Sequence, residues 1–239
     1  MKSLAGLTLG LALALALSGC TASMDKSMSM DKSMSMDKSM PIAKPLADTK
    51  IAHAHMGHVT TAWGDTPQGQ GLLPVAIAEA KVAALHATFA ASRSDDLLWM
   101  QLHTRHVLHT IDPSLEPKGP GLDYGVSKAA AGTLKHINLA AKSAGASANI
   151  KAHALHVATA AENTLTRAED IVLLANRVLA ASSADEAYPW VQQISQLATA
   201  LVEGVDANAD GVISWERDEG GLKAASKHMG IMAKGEGMN

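Results

Sequence analysis

The sequence predicts an all-α protein, a helical bundle of about four main helices followed by a C-terminal helix–loop–helix. Aromatic residues make up only 3% of the 239 residues, whereas Ala and Leu are abundant. This composition favours helices over sheets, because the aromatic and β-branched residues that form strands are scarce. Apolar residues also recur at steps of three and four from about residue 73 onward, which is the spacing of an amphipathic helix.

The first two bundle helices are predicted over about 73–91 and 95–111. The apolar stripe of the first helix comprises Val75, Val82 and Phe89. Ser94 is placed to cap the second helix, and Pro113 ends it because the residue before a proline is disfavoured in helical conformation. The segment 113–124 contains three Pro and two Gly, so it is predicted to be a loop.

The remaining helices follow the same reasoning. A third spans about 125–143, a fourth runs from its cap at Ser147 to about 181, and a fifth begins at Ser183, which forms a capping box with Glu186. The stripe of the third helix comprises Val126, Ala130, Thr133, Ile137 and Ala140. The stripe of the fifth comprises Val191, Ile194, Leu197, Leu201 and Val202, and a last helix carries Leu222, Ala225, Met229 and Met232.

The N-terminus has the layout of a secretory signal, with a positive start, an apolar run from Leu4 to Leu17, and then Ser18-Gly19-Cys20. Leu17-Ser18-Gly19-Cys20 resembles the lipobox of bacterial lipoproteins. The resemblance implies that residues 1–19 are a removed signal peptide and that a lipid on Cys20 attaches the protein to a membrane. Thr21 stands where lipoproteins of the inner membrane carry Asp, which indicates the outer membrane and a periplasm-facing protein. The alternative is an ordinary signal with an incidental cysteine.

Residues 20–70 are predicted to form a disordered tether, because 23–40 is a threefold repeat of Ser-Met-Asp-Lys-Ser-Met and 51–70 is rich in Gly. Its candidate soft-metal ligands are Met24, Met28, Met30, Met34, Met36, Met40, His53, His55 and His58. Thioethers prefer Cu(I), and imidazoles take Cu(II) or Zn. The segment resembles Met- and His-rich stretches of periplasmic copper- and silver-handling proteins. A duplicated spacer and a methionine oxidant scavenger are the alternatives.

Each of the four helices of the predicted bundle, residues 71–182, carries histidine on or beside its apolar face. The candidate ligands are His86, His103, His106, His136, His153 and His156. Facing helices of bundles build metal and haem sites, and neutral imidazole suits Zn, Cu, Fe and Ni. Haem would be non-covalent with two axial histidines, since the one Cys is assigned to the lipid. The alternative is that these histidines only form hydrogen bonds between helices.

The C-terminal segment 183–239 contains a loop that resembles the EF-hand pattern D-x-[DN]-x-[DN]-G. The resemblance implies a weak Ca²⁺ site, with ligands Asp206, Asn208, Asp210, the carbonyl of Val212, Ser214 and Glu216. The family's bidentate Glu at the twelfth position is Arg217 here, so Glu216, Asp218 or Glu219 must substitute for it. The alternative is a degenerate loop that only makes the turn.

No catalytic motif accompanies these features, and the net charge of −3 provides no basic field for nucleic acid. The sequence therefore predicts a non-enzymatic, membrane-anchored protein that binds metal ions, foremost Ca²⁺ at the C-terminal loop. The alternatives are a bundle that binds copper, silver, zinc or haem, and a purely structural or partner-binding lipoprotein.

Overall fold

A computed structural model gives the fold and describes residues 49–238. In that part of the chain the regular structure is wholly helical, with no strand, so the prediction of an all-α bundle is confirmed. The helices are α1 (Thr49–Thr60), α2 (Leu72–Ala91), α3 (Leu97–Ile111), α4 (Val126–Lys142), α5 (Ala148–Ala180), α6 (Ala184–Glu203) and α7 (Leu222–Gly235), with a short 3-10 helix at Pro67–Gly69.

Three helices, α3, α5 and α6, start at side-chain caps, which satisfy backbone N–H groups that have no partner in the first turn. Ser147 accepts a hydrogen bond from the N–H of Ile150 at the start of α5, and Ser183 accepts one from Glu186 at the start of α6, both as predicted. The cap of α3 differs from the prediction. Asp96, not Ser94, accepts the N–H of Trp99.

Helix α1 is the main departure from the sequence prediction, which assigned 20–70 to a disordered tether. Ala52, Met56 and Val59 are fully buried at steps of four and three, so one face of α1 is part of the core. That prediction is wrong over Thr49–Thr60. The predicted lipidation and tether sites Cys20, Met24, Met28, Met30, Met34, Met36 and Met40 lie outside the described residues.

Helix α5 is the longest element, and α4, α6 and α7 all pack along it. Helix α2 packs against α3, α4 and α6, and much of its buried surface is alanine, which lets neighbouring helices approach closely. Within the described chain, α2 is also the one helix long and apolar enough to cross a membrane by length and composition. Its packing partners are those of a core helix.

The loop between α3 and α4 is held by one buried carboxylate. Glu79 on α2 is only 1% exposed and accepts hydrogen bonds from the backbone N–H groups of Leu122, Tyr124 and Gly125 at 3.0–3.2 Å. A buried carboxylate is stable where several donors satisfy it. This contact attaches the loop between α3 and α4 to α2, and α3 and α4 carry parts of different histidine clusters.

Candidate metal centres

Nine of the eleven histidines of the chain gather into three clusters of three. The first triad is His55, His58 and His136; the second is His86, His103 and His106; the third is His153, His156 and His228. Each triad takes two histidines three residues apart on one helix and the third from a neighbouring helix. The helix pairs are α1 with α4, α3 with α2, and α5 with α7. Residues at i and i+3 share a helix face, so each pair of rings points the same way.

In the first triad the Nδ1 atom of His136 lies 3.0 Å from Nδ1 of His55 and 3.2 Å from Nδ1 of His58. His136 is buried and the two partners on α1 are partly buried. Trp63, just beyond α1, places its ring 4.5 Å from that of His136 and 4.8 Å from that of His58. Three ring nitrogens thus converge beside an indole.

The second triad repeats this arrangement. Nδ1 of His86 lies 2.9 Å from Nδ1 of His103 and 3.1 Å from Nδ1 of His106. The ring of Trp99 packs 4.2 Å from that of His103, and Phe89 lies against His86 and His103. The Nε2 atom of His103 is buried without a hydrogen-bond partner, so the polar contacts of this ring are made with the triad.

The third triad has the same geometry. Nδ1 of His228 lies 3.1 Å from Nδ1 of both His153 and His156. Trp215 stacks on His156 with ring centroids 3.9 Å apart and an interplanar angle of 22°. Three of the four tryptophans of the chain therefore lie against a histidine triad, one at each.

Three neutral imidazoles cannot satisfy one another in this arrangement. In a neutral ring Nδ1 carries either an N–H or a lone pair, so when three Nδ1 atoms converge at least two of them present the same kind of group to each other. A metal ion bonded to nitrogen at about 2.0–2.1 Å holds tetrahedral ligand atoms about 3.3 Å apart. The two separations from the central Nδ1 atom of each triad, 2.9–3.2 Å, are close to that value, and all three donor atoms of a triad lie within 4.8 Å of one another. The triads match the donor set of a cation site.

The electrostatics of the triads keep the central imidazoles neutral. Burial, and then the neighbouring histidines, lower the pKa of His86, His136 and His228 to about 4. These three are the central rings, whose Nδ1 contacts both partners. Burial also lowers the pKa of His55, His103, His106 and His156. Since only the neutral ring offers a lone pair, these groups are ready to bind a metal at neutral pH.

Two side chains of α5 position the tryptophan of the third triad. Asn163 donates to the carbonyls of Glu216 and Gly220 and accepts the N–H of Asp218. Arg167, 6% exposed, donates to four carbonyls, those of Ala200, Asp218, Glu219 and Gly220. The two residues are one helical turn apart, and their hydrogen bonds hold the segment that follows Trp215 against α5.

The EF-hand-like loop lies between α6 and α7, but a turn at 215–219 separates it from α7, which begins only at Leu222. Asp206 accepts the N–H groups of Asp210 and Gly211, Asn208 also accepts that of Asp210, and Asp210 accepts that of Val212. The oxygens of the first, third and fifth positions thus fold onto the loop backbone. Ser214 accepts the N–H of Glu216 through its hydroxyl.

The carboxylate that reaches this loop from the C-terminal side is that of Glu219. It is 2% exposed and its Oε2 accepts the N–H of Ser214 at 2.9 Å. Glu216 is exposed, and its carbonyl binds Asn163. Of the three residues considered as substitutes for the twelfth-position ligand, Glu219 therefore has the position closest to that role.

The structure groups the predicted histidines differently from the sequence analysis. His55 and His58 were assigned to the tether but join His136 from the bundle, and the six bundle histidines divide among three triads. His228 was not predicted, although its Met- and Ala-rich helix was. His53 lies outside the triads, with Nε2 3.2 Å from Oε2 of Glu236.

Comparisons with protein-family models, with curated proteins and with solved structures found no significant match to this chain. The triads are therefore interpreted from their own geometry.

Proposed function

We propose that this chain is a non-enzymatic, lipid-anchored protein of the cell envelope that binds transition-metal ions at three tri-histidine centres. The single observation that carries the proposal is the convergence of three Nδ1 atoms, repeated on three separate helix pairs. One histidine cluster could arise from packing alone. Three clusters with the same two-plus-one origin and an adjacent tryptophan favour a shared ligand. The lipobox-like sequence supports the periplasm-facing location.

The donor geometry supports a bare ion better than haem. Two axial histidines of a haem stand on opposite faces of the porphyrin, whereas the rings of each triad converge to within 3.2 Å of a central Nδ1. Imidazole nitrogen is a ligand for zinc, copper, iron and nickel. Binding without turnover is consistent with the lack of any recognised catalytic motif in the sequence.

The proposal is tested by metal stoichiometry. The full chain is purified in detergent without chelators, and bound metal is measured after titration and gel filtration. Since the methionines of residues 23–40 are additional ligands for soft ions, Zn²⁺ is the first probe, with Cu⁺ as the second. We expect the wild type to bind three ions at the triads. The variant that combines His86→Gln, His136→Gln and His228→Gln should bind three ions fewer.

Each single substitution should remove one ion and leave two. His53→Gln is the matched control, because His53 shares α1 with the first triad but bonds Glu236. Equal uptake by the wild type and the triple variant for both metals would contradict the proposal.

A second candidate function is weak Ca²⁺ binding at the loop 206–217. The observation that favours it is the buried carboxylate of Glu219, which faces the loop where the family's glutamate is replaced by Arg217. Affinity on the order of 10⁻⁴–10⁻³ M, that of extracellular modules, is expected. Calorimetry with Ca²⁺ should give one site in the wild type and none in Asp206→Asn/Asp210→Asn. If neither protein shows a heat of Ca²⁺ binding, this second candidate function is wrong and the loop is only a structural turn.

A further inference from the structure

We propose that the ion of the three triads is a monovalent d¹⁰ cation, Cu(I) or Ag(I), and not a divalent ion such as Zn²⁺. This inference rests on the proposed metal-binding function and names the ion class it serves. It is carried by three properties that the triads share: an uncharged ligand set, cationic surroundings and an adjacent indole.

The ligand set is uncharged. Carboxylates and thiolates are also common metal ligands. Within the described chain, however, the three triads contain histidine alone. Three neutral imidazoles leave the full charge of the ion uncompensated. The cost of moving an ion out of water into a less polar site rises with the square of its charge, so a divalent ion costs about four times as much as a monovalent one.

The nearby charges also disfavour a divalent ion. Lys135 acts electrostatically on His136, Lys227 on His228 and Arg93 on His103, and all three are cations. Glu116 is a carboxylate that acts in the opposite direction on His106, and it is paired with Arg105 at 3.1 Å. Each triad thus has a cation that acts on one of its histidines.

The number of donor nitrogens and the adjacent indole also favour a monovalent ion. Zn²⁺ takes four ligands, the fourth being water or another side chain. Each triad supplies three nitrogens, and what lies against those rings is an indole, 3.9–4.8 Å between ring centroids. An indole offers no lone pair to Zn²⁺, but its π face attracts cations, as it does at Trp99, where the guanidinium of Arg93 lies 3.6 Å from the ring centroid. A low-coordinate monovalent ion fits this set of groups better.

The test is a competition on the full chain in detergent, followed by tryptophan fluorescence and by metal analysis. Cu(I) is added under anaerobic reducing conditions and Ag(I) in air, each against a hundredfold excess of Zn²⁺. We expect the wild type to retain three more monovalent ions than the His86→Gln/His136→Gln/His228→Gln variant. Any ions bound by the methionines of residues 23–40 are common to both proteins, so the difference between the two proteins counts only the ions at the triads.

Fluorescence identifies the sites. Three of the four tryptophans should be quenched as three ions bind, and Trp190→Leu, a partly buried tryptophan outside the triads, should leave the quenching amplitude unchanged. Trp215→Leu should weaken Cu(I) or Ag(I) at one site by roughly tenfold, with no change in Zn²⁺ affinity.

The possible results separate the two proposals. If Zn²⁺ displaces Cu(I) and Ag(I) from the triads, the inference is wrong while the metal-binding function stands. If neither class binds beyond the triple variant, both are wrong. If the triads retain both Cu(I) and Ag(I), the sites select their ion by its charge and coordination number, as proposed. If they retain only one of these ions, the inference holds for that ion alone.

Discussion

At the scale of single residues, the central histidines His86, His136 and His228 are the most informative. Each contacts both partners of its triad through Nδ1, and burial together with the neighbouring rings lowers its pKa to about 4. The unperturbed value is 6.5. A protonated Nδ1 has no lone pair to offer a metal ion, so protonation and metal binding at these rings exclude each other.

This predicts a pH-dependent stability of the metal-free protein. Between pH 6.5 and about 4 the unfolded chain binds protons that the folded chain does not, so the free energy of unfolding should fall as the pH falls through this window. Above pH 6.5 both states are neutral at these rings, and the curve should flatten.

Urea denaturation of the metal-free protein at several pH values tests this prediction. The His86→Gln/His136→Gln/His228→Gln variant should show a shallower fall, because it lacks the three groups whose pKa is lowered to about 4. An identical pH profile in both proteins would show that the central histidines are not the source of the effect.

Residue-level sequence reasoning found eight of the nine triad histidines but not their grouping. Spacing within a helix is visible in the sequence, as for His103 with His106 and His153 with His156, which are each three residues apart. The third ring of each triad comes from another helix, which depends on helix packing. His228 gave no signal of its own, since it is a single histidine on a short helix and its partners are more than 70 residues away.

At the scale of elements, capping and periodicity predicted the bounds of α2 to α7 closely, but the predicted stripe of α2 was wrong at Phe89, which is exposed. The buried residues of α4 include the five predicted from the sequence, and Ser147 and Ser183 are caps as expected. Helix α1 was missed because the Gly and Pro residues of segment 51–70 suggested irregular structure. Its buried face consists of Ala52, Met56 and Val59 only, which is a weak apolar signal.

The segment after Trp215 yields a prediction at this scale. Arg167 is buried and its guanidinium satisfies four backbone carbonyls. Replacing it by Met leaves those carbonyls without that donor, at a cost on the order of 3 kcal/mol. The segment should loosen and Trp215 should no longer be held on His156. We expect weaker metal binding at the third triad and unchanged binding at the other two.

Arg177→Met is the matched control, since Arg177 is an exposed arginine on the same helix. Site-resolved histidine NMR during metal titration distinguishes the triads. A uniform loss of affinity at all three triads in Arg167→Met would indicate general destabilisation and contradict the local role assigned to this arginine.

At the scale of the whole molecule, the triads lie across helix pairs, and every described helix except α6 carries a ligand histidine. A bound ion at each triad therefore cross-links two helices: α1 to α4, α2 to α3, and α5 to α7. An ion at the first triad attaches α1, the first described helix, to α4 of the bundle.

Metal binding should accordingly raise the melting temperature in three separable steps. A ligand that binds only the folded state stabilises it by about 2.7 kcal/mol when its concentration is a hundred times its dissociation constant. Three independent sites give about 8 kcal/mol, and for a chain of this size each kcal/mol raises Tm by about 2–4 °C. The expected increase is therefore about 16–32 °C.

Each single variant, His86→Gln, His136→Gln or His228→Gln, should lose about a third of the metal-induced increase, and the triple variant should lose all of it. His53→Gln should keep the full increase. Scanning calorimetry with and without metal gives these values directly. If one single substitution removed the whole increase, the three sites would be coupled and the helix pairs would not be independent cross-links, because separate sites on separate pairs contribute additively.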